Sequence, residues 1–164
     1  MSARNLLALV ATLNAAACGD SDASKDDFQV LSCEAQQFRL VGSVDGRAVE
    51  ISEPTSGGFV QGNSAVFDQN RAFGGIDPNP EATKVHLEWS GALAHGQSGP
   101  VSGIVVLPPN QPRTGQTLCA SGDSRVGFSD DGRFGFHLVS LTGGTNCAEA
   151  VQGNLKGCWR SRAD

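Results

Sequence analysis

Apolar and polar residues alternate with period two in short runs along most of the chain, and glycine, aspartate and asparagine separate the runs. The clearest run is KVHLEW, with Val85, Leu87 and Trp89 on one side and Lys84, His86 and Glu88 on the other. That is the pattern of an antiparallel strand with one face buried and one in water. In FRLVGSVDGRAVEI, Asp45-Gly46 suits a two-residue type I′ turn, which places Leu40 opposite Ile51 and Gly42 opposite Val49. Phe38, Leu40, Val44, Val49 and Ile51 then share a face. A second hairpin is predicted in RVGFSDDGRFGFHLVSL, with Asp130-Asp131-Gly132 as a three-residue loop. Within it, Phe134, Phe136 and Leu138 are out of phase with Val139 and Leu141, which calls for a bulge or for a strand covered on both faces.

Further strands are expected at FQVLS, GGFVQ, SAVF, GIVVL, TLCA and VQGNLKGCW. The only helical signal is a turn at 79–84, and a proline-rich bend falls at LPPNQP, 107–112. The expectation is an all-β domain over 28–164, with seven to ten short antiparallel strands in a β-sandwich or a β-barrel, which periodicity does not separate. Composition agrees: of 164 residues 21 are glycine, one is methionine, none is tyrosine, and charged residues make up 18%. A net charge of −5 leaves no basic surface of the kind that neutralises phosphates, so nucleic acid is not an expected partner.

The first 27 residues follow a different pattern. Arg4 precedes an apolar run, LLALVATLNAAA (6–17), far short of the roughly 20 residues needed to cross a bilayer. Ala15-Ala16-Ala17-Cys18 closes it. These residues resemble the signal peptide of bacterial lipoproteins, in which small residues precede a cysteine that is lipidated and becomes the mature N-terminus. The resemblance implies a signal peptide over 1–17, acyl chains on Cys18 and a membrane partner reached through them. Gly19 in place of aspartate after the cysteine implies the outer membrane of the bacterial cell envelope. Gly19–Asp27, GDSDASKDD, has almost nothing apolar to bury and is expected to act as a linker, with a full reach of about 30 Å.

Cysteine arithmetic points the same way. The chain has five cysteines, and setting Cys18 aside leaves Cys33, Cys119, Cys147 and Cys158, which pair completely in an oxidising compartment. Of the three pairings, Cys33 with Cys158 and Cys119 with Cys147 is the choice, because it staples the first strand to the last. No Cys/His grouping has zinc-ligand spacing, so no metal or other cofactor is expected.

Candidate catalytic motifs are thin. Gly122-Asp123-Ser124 has the order of a protease nucleophile turn, but Arg125-Val126 follows where oxyanion-forming glycines belong. Gly96-Gln97-Ser98-Gly99 lacks the full nucleophile-elbow pattern. His86, His95 and His137 have no acid or nucleophile assigned to them by spacing. Asp68, Asn70 and Asp77 offer oxygens for calcium without the spacing of an EF-hand loop. Trp89 and Trp159 are expected in the core, not on a sugar-binding platform. The expectation is a membrane-anchored lipoprotein whose β domain binds an unknown protein or small molecule, or builds the envelope. The alternatives are a small extracytoplasmic hydrolase using a histidine, or a transport or chaperone-like lipoprotein with an apolar cavity.

Overall fold

The computed structural model describes residues 28–54, 58–68 and 82–160. The expected signal segment 1–17, Cys18 and the linker to Asp27 lie outside them, as do Asn70 and Asp77. The described residues form twelve strands and no helix: β1 (Gln37–Val44), β2 (Arg47–Pro54), β3 (Gly58–Gln61), β4 (Ser64–Asp68), β5 (Lys84–Trp89), β6 (Ser98–Val106), β7 (Thr117–Ser121), β8 (Arg125–Phe128), β9 (Phe134–Leu138), β10 (Ser140–Gly143), β11 (Glu149–Val151) and β12 (Gly153–Trp159).

All pairings are antiparallel, and the strands make one curled sheet, a half-barrel folded over its own inner face. One half runs β2-β1-β12-β9-β8, the other β3-β4-β5-β6-β7-β10-β11. β6 joins them. Its first residues, Ser98 to Pro100, pair with β8, and the remainder pairs with β5 and β7.

The expected hairpins form. Leu40 faces Ile51 and Gly42 faces Val49, and Asp45 and Gly46 take φ of 50° and 75°, as a type I′ turn requires. In the second hairpin Gly132 takes φ of 78° and Ser129 pairs with Arg133 through its backbone. The phase break after Leu138 is a change of layer: β9 pairs with β8 and β12, β10 with β7 and β11, and Val139 between them belongs to neither strand. Its N–H would be orphaned at such a corner, and it donates instead to Oγ of the fully buried Ser124 at 3.2 Å. VQGNLKGCW is likewise two strands, broken at Gln152, and breaks of this kind bring the strand number to twelve.

The core is keyed by aromatics. Register puts Phe38 opposite Trp159, Trp159 opposite Phe134, and Phe134 opposite Phe128, a cross-strand ladder over β1, β12, β9 and β8. Phe134 lies 4.7 Å from Trp159 and 5.5 Å from Phe128, centroid to centroid. From the other half, Phe67 of β4 stacks on Phe38 at 3.9 Å and Trp89 of β5 meets Phe134 at 5.8 Å. Such pairs contribute on the order of 1 kcal/mol beyond area burial, so the ladder fixes how the halves face each other. Glycine admits the close approach of β1 and β12. At Gly42 and Gly153, φ is 153° and 144°, and a Cβ would overlap the carbonyl oxygens of Asn154 and Ser43.

One expected strand is absent. Phe28–Ser32 (FQVLS) joins no sheet; it is a strap across the outside of the β-layer. Phe28, Val30 and Leu31 are all half-buried, and Phe28 and Val30 lie on an existing sheet face, where strands are already paired on both sides.

Candidate functional site

The strap is the feature of the fold that bears on how the chain is held. On the outer face, Cys158 of β12, Gly135 of β9 and Gly127 of β8 occupy one cross-strand row, directly behind the aromatic ladder. The chain runs along that row, across the strands. Cys33 is bonded to Cys158 with Cα atoms 6.1 Å apart, Val30 lies over Gly135 and Phe28 over Gly127. A Cβ on Gly135 would fall 2.7 Å from Val30 Cγ1, its nearest contact. One on Gly127 would fall 2.9 Å from Phe28 Cε1 after meeting the Gln97 carbonyl oxygen at 2.6 Å and Ser98 Cβ at 2.8 Å. In this trough Gly135 makes room for the strap, and Gly127 for the strap and the start of β6 together. Among the described residues, Phe28 to Cys33 make no backbone hydrogen bond to the strands beneath. Seating and the disulfide hold them.

The second disulfide joins Cys119 of β7 to Cys147 in the β10–β11 turn, Cα atoms 5.7 Å apart. It lies on the outer face of the other half, where Cys147 is exposed and holds φ of 53°. Beside it, Arg113 Nε donates to Asp45 Oδ2 at 2.6 Å and Nη1 to Glu149 Oε2 at 2.9 Å, linking the β1–β2 turn to β11. The guanidinium hydrogen bond holds the Asp45 carboxyl below its ordinary range.

Among the cavities on the surface of the described residues, two lie beside the split of β6 and the strap. The larger, about 650 Å³, is a groove at the split of β6, lined by Asn63, Glu88, Pro100, Ser102 and Ser121 among others. Its chemistry is one carboxylate among hydroxyls. Asn63 Nδ2 is already committed to the Trp89 carbonyl at 2.8 Å. The smaller, about 370 Å³, lies where the strap begins, between Phe28, Gln97, Phe128, Asp130 and Arg133.

The histidines stand apart from one another. His86 is exposed, with Nε2 3.4 Å from Glu88 Oε1. His95 is exposed and lies over Phe128, ring centroids 6.3 Å apart. His137 is half-buried on β9, and its register partners are Lys156 and Arg125. Burial, then the Lys156 charge, pushes its pKa below the usual value, so it is neutral at pH 7. No serine hydroxyl among the described residues is hydrogen-bonded to a histidine. Near His95, Ser129 Oγ donates to Asp131, whose carboxyl this bond and Arg133 hold down to about 2. That ties the hairpin turn; a nucleophile would have to donate to a base.

Ser124 is buried at the corner, and Ser98 accepts from Arg125 Nη2 at 2.9 Å within β6. Neither occupies a nucleophile turn. Asp68 ends β4, and among the described residues no three His, Cys, Asp or Glu side chains converge on a common point. Both tryptophans are in the core. The half-barrel interior is filled by the aromatic ladder and its aliphatic neighbours.

Sequence reasoning missed the trough and the Arg113 bridge. The trough had a signal: Gly127-Phe128, Phe134-Gly135 and Cys158-Trp159 each set a small outward residue beside an aromatic inward one. The bridge had none, because Arg113 meets residues 68 and 36 positions away.

The class these observations define is an all-β, doubly disulfide-bridged half-barrel with a surface strap. No protein-family model, no curated protein and no solved structure matches the chain.

Proposed function

We propose that the protein is a lipoprotein of the bacterial cell envelope, held at a membrane through acyl chains on Cys18, with its β domain displayed outside the cytoplasm as a binding or structural module. The observation that carries this is cysteine use: the two disulfides consume four of five cysteines and leave Cys18, the one that follows Ala15-Ala16-Ala17. Disulfides of this kind persist in oxidising compartments, which supports placement outside the cytosol. Two or three acyl chains, at about 0.8 kcal/mol per buried methylene, suffice for stable anchoring.

The test is intact-mass analysis of membrane-fraction protein beside a Cys18→Ser variant. The expected mature chain starts at Cys18, carries acyl mass and has its other four cysteines oxidised, and Cys18→Ser moves the protein out of the membrane fraction. A variant that matures and partitions unchanged would overturn the proposal.

A further inference from the structure

Resting on that anchor at Cys18, we propose that the strap is a coupling device: pinned by Cys33–Cys158 in the Gly127/Gly135 trough, it makes Phe28 the pivot of the tethered domain and delivers any pull to β12. Three features of the fold support this. First, the strap has no backbone hydrogen bonds to the sheet, so it resists pulling only through side-chain seating and a covalent bond. Second, that bond ends on β12, which is paired along both sides, to β1 and to β9. Tension therefore meets a strand held from two directions.

Third, the alternative path is weak. Without the bond, tension reaches the sheet end at Gln36, whose N–H donates to the Arg160 carbonyl at 3.0 Å, and from there peels the β1–β12 pairing from its end, one residue at a time. The pivot would also move. Residues 28–35 would be released from the sheet, adding about 30 Å of chain between Cys18 and the first residue held on the β domain. With the strap seated, a pull from the N-terminal side enters the described fold at Phe28, beside the Gln97 and Ser129 loops.

The experiment uses the full chain, spin-labelled through unnatural side chains at position 29 in the strap and position 102 on β6, with interlabel distances measured by pulsed electron resonance. Native protein should give a single narrow distribution. Removing the bond with Cys33→Ser and Cys158→Ala should broaden it at least about twofold. A native distribution as broad as that of the bond-free variant would overturn the pivot. Gly135→Ala keeps the disulfide and guards against misfolding of the cysteine variant. Its Cβ meets Val30, so the distribution should shift while tryptophan fluorescence stays native, and an unchanged distribution would overturn the trough. The same labels on acylated protein in phosphatidylglycerol vesicles report the height of position 102, which should rise by up to about 30 Å without the bond. Failure of the native chain to associate with vesicles would overturn the anchor and the reach, while the solution distances still decide whether the strap is seated.

Discussion

The two disulfides occupy opposite halves of the sheet. Cys33–Cys158 spans 125 residues, is buried behind the aromatic ladder and fixes a segment that has no other covalent or backbone tie to the strands beneath it. Cys119–Cys147 spans 28 residues, ends on an exposed turn, and joins elements already neighbouring through the β7–β10 pairing. The first therefore adds an element to the fold, whereas the second reinforces an existing one. Chain entropy points the same way, since the longer loop restricts the unfolded chain more.

The contrast breaks most visibly with Cys33→Ser/Cys158→Ser. On the chain-entropy model the loss is about 5 kcal/mol by urea unfolding, together with rapid hydrogen exchange in the strap. Cys119→Ser/Cys147→Ser should cost about 3.5 kcal/mol and leave strap exchange native. Equal strap exchange in the two variants would erase the distinction. Ser124→Ala, at the corner near β7, should cost about 2 kcal/mol, because the Val139 N–H loses its acceptor. A change within experimental error there would mean the corner finds another partner.

His137 titrates below the ordinary value in the fold, so as pH falls below 6.5 the unfolded chain takes the proton first and stability declines. The decline levels off below the folded pKa. In His137→Gln that part of the pH profile should flatten, and Lys156→Gln should narrow it. The smallest effect is expected at Arg113→Ala near the second disulfide. Its ion pairs face solvent, so the loss should shrink further as salt is raised.

The local parts of this fold were legible in the sequence. Asp45-Gly46 and Asp130-Asp131-Gly132 set their hairpins because turn chemistry acts over a few residues. The phase shift between Leu138 and Leu141 was visible, but it suggested a bulge or a doubly covered strand, whereas the chain breaks at Val139 into two strands in different layers. Phe28–Ser32 misled because alternation reports that one side of a segment is buried without saying what covers it. A strap on a glycine trough and an edge strand look alike in one dimension. The candidate site was less legible, since the trough, the groove and the Arg113 bridge are made by residues brought together only by strand order. Of the residues singled out for chemistry, the structure places the histidines apart and seals Ser124 inside. The disulfide pairing Cys33–Cys158 and Cys119–Cys147 is present as drawn from the sequence, where spatial closeness of the first and last elements was assumed.

β6 belongs to both halves of the molecule, with Ser98 to Pro100 paired on one side of the split and Gly103 to Val106 paired on the other. Neither half has a complete set of neighbours without it. Heat should therefore melt both halves in one calorimetric peak, and a backbone nick inside β6 should abolish that transition, whereas a nick in the β3–β4 turn should leave most of it.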